Sequence, residues 1–325
     1  MGRAVGFPRG SHRVPRAREP RRPPLILDRA RGMTPRVRAL LRAALQVVFL
    51  IGVAVAITLA WIDQGDAIIA ALVPASPLGA GLIVLGSLLA MLPLVPHWRA
   101  LAGFLGTRVP WPSAVRIVVA GQLGKYLPGG VWTIGAQGYT AHGAAVPWRL
   151  GVAVGLLQIG TLIVAGGVIG GVGILAGVTP WNPLWGAPLI VVAVIGGMPV
   201  IVRRIGVSLL RPDEQPARGP ALPVVGWSFA YWGGTTLAAV GAGLALAPDA
   251  IGTILVASTL GYAAGALVII APAGIGVREA VVVATLAPAV GFATAAAIAL
   301  LLRLGAVIGD LAGCGALTVF ARPTR

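Results

Sequence analysis

Charge is what this chain has least of: only 10% of its 325 residues are Asp, Glu, Lys or Arg, where a soluble domain carries about 25%. A water-facing globular surface cannot be coated with so little charge, so a soluble domain is excluded as the main body. Acids are scarcer still, nine against 25 Lys and Arg. The lone cysteine, Cys314, excludes an intramolecular disulfide and leaves the redox compartment open. The three histidines, His12, His97 and His142, are too scattered for a metal site. The sequence also lacks a Walker loop, a zinc spacing and a Ser-His-Asp arrangement. An ATP-driven pump is disfavoured, and no enzymatic activity, cofactor or metal is expected.

What is present is apolar. Hydrophobic residues make up 57% of the chain, and the mean hydropathy is +0.91. Glycine, at 47 residues, is about twice as frequent as usual, which suits close helix packing in lipid. The fold class expected is all-α: a polytopic bundle of about six full spans plus two broken or re-entrant hairpins, with a possible inverted repeat. The +16 net charge suggests nucleic acid at first. Its placement argues otherwise, because twelve of the 25 basic residues fall within positions 1–42 and most others sit between apolar runs. Anionic lipid headgroups and the positive-inside rule account for that pattern, and no nucleic-acid partner is expected.

The domain plan has three parts: a basic, Pro-rich, disordered cytoplasmic tail over 1–39, a transmembrane region over 40–320, and a short cytoplasmic end over 321–325. The tail lacks the apolar core of a secretory signal, and Met33 is an alternative start. The first span is expected over 40–62, ending at Trp61 and Asp63, with an external loop to Pro77. The second, 78–96, returns to a cytoplasmic edge at His97, Trp98 and Arg99. Further spans fall at 150–176, 184–202 and 223–246, each near the roughly 20 residues that cross a hydrocarbon core. The loop 203–222, with four arginines, is cytoplasmic. Basic and non-basic loops alternate throughout, predicting a multi-pass protein of the cell membrane with both termini on the cytoplasmic side. Trp98, Trp111, Trp132, Trp148, Trp181, Trp185 and Trp227 fit an aromatic belt. The Gly166–Gly170, Gly261–Gly265 and Gly309–Gly313 spacings read as helix packing.

Two apolar stretches are interrupted. Residues 113–145 are broken by Tyr126-Leu127-Pro128-Gly129-Gly130, and 251–292 by Ala271-Pro272-Ala273-Gly274-Ile275-Gly276. Proline removes a backbone donor and glycine permits backbone that no helix adopts. Such backbone survives at membrane depth only when buried in protein or lining a wet cavity. Breaks entering from opposite faces are what an inverted repeat produces. Alternatively the second stretch is two full spans, 251–271 and 280–302, followed by 304–320.

Each break starts a half-helix, near Val131 and near Val277, whose N-terminal amides suit a phosphate. Lys125 and Arg278 flank the breaks and add full positive charge. The plainer alternative is that the breaks are turns and the basic side chains snorkel to the interface. Charges away from loops are Arg278, Glu279, Arg303 and Asp310. Glu279 with Arg303 is the preferred pair, Arg303 with Asp310 the runner-up, and a purely structural pair the competing explanation.

The run Gly121-Gln122-Leu123-Gly124-Lys125-Tyr126-Leu127-Pro128-Gly129-Gly130-Val131-Trp132 resembles the first signature of the lysylphosphatidylglycerol synthase transmembrane-region family. Pro272-Ala273-Gly274-Ile275-Gly276-Val277-Arg278-Glu279 resembles its second, and Arg303 a basic residue of its last helix. The resemblance covers roughly 40–320 and implies a lipid-translocating, flippase-like module. Its soluble aminoacyl-transferase domain is not expected here, since only five residues follow Phe320. The expected function is binding and lipid transport between leaflets, of an anionic phospholipid or a lipid-linked sugar phosphate. The substrate-binding set is Lys125, Tyr126, Pro128, Gly129, Gly130, Pro272, Gly274, Gly276, Arg278, Glu279 and Arg303. The rival expectation is a membrane scaffold that partners a glycosyltransferase or another lipid-modifying envelope enzyme.

Overall fold

The computed structural model describes residues 2, 35–127, 132–144, 146–197, 219–268 and 271–320. The chain divides into two compact units, Met1–Ala44 and Leu45–Arg325, and the second contains every candidate site residue. Most of the expected tail, loop 203–218, Pro128, Gly129, Gly130 and the last five residues lie outside the described residues.

The described residues are helical and contain no strand. In order they form α1 (Pro35–Leu72), α2 (Pro77–Met91), α3 (Leu94–Phe104), α4 (Trp111–Gly124), α5 (Trp132–Gly143), α6 (Trp148–Leu175) and α7 (Gly186–Val191). Then come α8 (Leu222–Leu246), α9 (Ile251–Leu267), α10 (Val277–Val290) and α11 (Phe292–Phe320). Among the described residues, 7 helices are long and apolar enough to cross a membrane. The expected all-α polytopic bundle is therefore what the chain forms. The span expected over 184–202 is described only to Gly197, and its apolar helix reaches Val194.

Three expected boundaries move. Helix α1 does not stop at Asp63 but runs to Leu72, so the loop shrinks to the residues before Ser76. Asp63, Gln64 and Asp66 change the polarity without breaking the helix, because hydropathy marks a membrane edge and only caps mark a helix end. The cap belongs to α2: Ser76 Oγ accepts the Gly79 amide at 2.9 Å, with Pro77 at the first turn. The second shift is at Pro93, where the chain turns from α2 into α3 and continues to Phe104. The third is in the C-terminal stretch, where the two-span alternative holds with different limits. Pro248–Leu267, Pro272–Val290 and Phe292–Val319 are the candidate spans. The division falls at Gly291, whose φ of 80° ends α10, and not near Arg303, which sits inside α11.

Glycine sets the packing. Helix α2 lies against α8 where Gly79 faces Gly241 and Gly86 faces Gly234, and a Cβ on Gly79 would meet Gly241 O at 2.6 Å. On α11, Gly309 and Gly313 sit against Ser87 and Met91 of α2. Gly166 receives Trp232, and Gly170 receives Thr259. These spacings are used for close approach, as expected.

His97 and Trp98 are fully buried, which corrects the reading of Trp98 as a lipid-facing belt residue. Trp98 Nε1–H donates to Gln137 Oε1 at 2.9 Å, and His97 Nε2 lies 3.1 Å from both Thr161 Oγ1 and Ser228 Oγ. Partners from α5, α6 and α8 replace the water these groups would otherwise need. Trp111, Trp132, Trp148, Trp185 and Trp227 are exposed, in keeping with a belt.

Candidate functional site

The two interrupted stretches form packed pairs, α4 with α5 and α9 with α10. Helices α4 and α5, with 14 and 12 residues, rise only about 21 and 18 Å, short of a core about 30 Å thick. The first pair is therefore too short to be two crossings.

The second break is tightly specified. After α9, Ala271 N–H donates to Val268 O and a 3-10 turn covers Pro272–Gly274. Ala273, Gly274 and Gly276 have φ of 49°, 70° and 82°. The glycines adopt this left-handed backbone freely, whereas Ala273 holds it at a cost of roughly 1–3 kcal/mol. Arg303 supplies compensation from α11, its Nη1–H donating to Ala273 O at 3.0 Å. Arg303 Nε also lies 3.6 Å from Glu279 Oε1, so the preferred pair is formed. Glu279 Oε2 in turn accepts the Gly276 amide at 2.7 Å. The N-cap amide of α10 is thus taken by the helix's own carboxylate rather than left for a ligand.

At the first break, Lys125 caps α4 and Tyr126 follows. Lys125 Nζ forms an ion pair with Asp310 Oδ2 at 2.7 Å and donates to Gln122 Oε1 at 2.9 Å. Tyr126 donates its hydroxyl to the same Asp310 oxygen. Asp310 is buried. The runner-up pairing of Arg303 with Asp310 is absent, because each has a nearer partner at a different break.

Between the breaks lies a cavity of about 560 Å³, within the range of small-molecule sites. Lys125, Tyr126, Gly274, Arg278, Arg303 and Asp310 all line it. Glu279 does not; it lines a small side chamber shared with Arg278 and Arg303. Pro272 and Gly276 shape the second break without lining the cavity. The stem of Arg278 lies against α9, where a Cβ on Gly265 would stand 3.4 Å from Arg278 Cβ. Arg278 is half-buried and makes no hydrogen bond or ion pair among the described residues.

The remaining wall is aliphatic, with hydroxyls from Ser87, Thr133, Tyr231, Thr235, Ser258 and Tyr262. Tyr231, Trp232 and Tyr262 form a cluster with ring centroids 5.5–5.9 Å apart. Sequence reasoning missed these residues, since a hydroxyl in an apolar helix gives no periodic signal. Asp310 was visible as a charge in an apolar run but not as the partner of Lys125. Among the described residues, no group of three or more His, Cys, Asp or Glu could hold a metal.

Fold and site together define a multi-pass helical membrane protein with a charged cavity between two broken helix pairs. No family model matches the chain, and no curated protein matches it.

Proposed function

We propose that this protein binds the headgroup of an anionic lipid in the cavity between the two breaks and carries it between the leaflets of the cell membrane. The observation that carries the reading is the convergence of Lys125, Arg278 and Arg303 on one cavity, with Arg278 lacking a carboxylate partner among the described residues. A charge at such depth is costly, and a bound phosphate would offset it. The aliphatic wall suits the acyl or polyprenyl part, so a phospholipid or a lipid-linked sugar phosphate fits the same site. The resemblance to the lysylphosphatidylglycerol synthase transmembrane-region family supports this reading.

The test is leaflet exchange in vesicles carrying the full chain and a labelled anionic phospholipid. Exchange should exceed that of protein-free vesicles, and Arg278→Gln should weaken lipid binding by about one to two decades, the range of one charged hydrogen bond. Wild-type protein that neither binds the lipid nor speeds its exchange overturns the proposal. That outcome would return the chain to the scaffold class, whose helices need only pack.

A further inference from the structure

The charges around the cavity are unequal in number. Lys125, Arg278 and Arg303 are three cations, and Glu279 and Asp310 are two carboxylates, so the site carries one net positive charge. Asp310 is 2.7 Å from Lys125 and Glu279 3.6 Å from Arg303, so each carboxylate is already engaged. Among the described residues, the lining has no free carboxylate to receive an ammonium group and one free guanidinium to receive an anion. Ligand charges of zero, minus one and minus two would leave the site at plus one, zero and minus one. Away from water the neutral total is favoured, since a residual charge keeps its desolvation penalty.

The wall near the free guanidinium adds a second constraint. Thr235, Ser258 and Tyr262 line the same cavity as Arg278, and the Tyr262 hydroxyl has no hydrogen-bond partner among the described residues. A partly buried phenol normally finds one. Thr235 and Ser258 already donate to the Tyr231 and Ile254 carbonyls and so offer acceptor lone pairs, whereas Tyr262 has both a donor and an acceptor to give. Ligand hydroxyls serve both kinds of group, while an ammonium can only donate and a methyl does neither.

We infer that the cavity selects a phosphodiester of single negative charge with an uncharged, polyhydroxylated headgroup, over zwitterionic headgroups and over phosphomonoesters. The inference rests on the proposed function and sharpens its substrate class. Arg278 binds the phosphodiester, the two existing ion pairs stay closed, and the hydroxyl wall takes the polyol.

The full chain is reconstituted in phosphatidylcholine vesicles with equal mole fractions of phosphatidylinositol, phosphatidic acid and phosphatidylethanolamine, then re-extracted, and the retained lipid is measured. Phosphatidylinositol should be enriched over phosphatidylethanolamine by about tenfold, roughly 1.4 kcal/mol, because both offer Arg278 the same phosphodiester but the ammonium of the second leaves the site at plus one, and several-fold over phosphatidic acid. Arg278→Gln should bring the first ratio towards one. Asp310→Asn raises the site to two positive charges and should turn the preference towards phosphatidic acid, whose monoester approaches two negative charges near neutral pH. A purely structural role for Asp310 would lower retention of every lipid alike. Equal enrichment of phosphatidylinositol and phosphatidic acid in the wild type overturns the inference and leaves the proposed function standing. Failure to enrich either anionic lipid overturns the proposed function as well. The wild-type ratios decide even where a variant does not fold.

Discussion

Arg303 and Asp310 stand on the same helix, α11, and each fastens a different break in the membrane helices: Arg303 holds Ala273 O at 3.0 Å, and Asp310 holds Lys125 at 2.7 Å. Neither bonds the other. Two residues seven apart are nearly two full turns, so both project from one face about 10 Å apart along the axis.

The Lys125–Asp310 pair should behave as a coupled unit in stability. Asp310→Leu alone strands Lys125 and should cost about 2 kcal/mol, below the roughly 3–5 of a fully buried pair because Lys125 is partly solvated. Adding Lys125→Met should recover at least half of that loss, since the stranded charge is gone. Thermal unfolding in detergent of the two single variants and the double variant measures this. Losses that simply add would show that the two side chains do not interact.

Arg303→Lys keeps the charge but loses the planar fork that reaches Ala273 O and Glu279 together. Amide hydrogen exchange over 271–277 should quicken in this variant, while exchange in α2 and α8 stays unchanged. Uniform quickening across the bundle would point to general destabilisation. Unchanged exchange at the break would mean that Arg303 does not hold it.

Trp98→Phe preserves most of the buried area but removes the donor to Gln137 Oε1, leaving an unpaired buried acceptor. The expected cost is about 1–3 kcal/mol. Trp185→Phe, on an exposed ring, should stay within about 0.5 kcal/mol. Equal shifts in unfolding temperature for the two variants would contradict the assignment of Trp98 to the core.

Orientation is tested by labelling. In a Cys314→Ala background, cysteines at Asp66 and Asn182 should react with an impermeant reagent added outside, and positions within 203–222, the stretch expected to be cytoplasmic, should not. Reversed labelling would invert the orientation predicted from the basic loops.

Class and interruptions were legible in the sequence because composition and proline-glycine runs report them directly. The Arg303–Glu279 pair was legible for a simple reason: so few charges lie in apolar runs that few pairings were possible. Glu279 as a cap was readable in principle, since it stands three residues after Gly276 at a half-helix start. The Lys125–Asp310 pair was not, because 184 residues separate Tyr126 from the aspartate it shares with Lys125 and only tertiary packing joins them. Trp98 misled for a related cause. A polar residue at the end of an apolar run looks the same whether water or a neighbouring helix satisfies it. The end of α1 misled because polarity changes at Asp63 while helix propensity does not.

The exposed flank of α1 bears on how the molecule is assembled. None of its most apolar window is buried in protein, so hydrocarbon alone is solvent enough for it, and its backbone is satisfied from within. Such a segment can enter the bilayer by itself, before any neighbour has been synthesised. Helices α4 and α5 have no such independence, because each is too short to cross the hydrocarbon core by itself and Asp310, which holds Lys125 at the end of α4, is translated nearly two hundred residues later. Biogenesis would then be biphasic: α1 inserts as an autonomous unit, and the first re-entrant element stays provisional until α11 arrives from the ribosome to lock it.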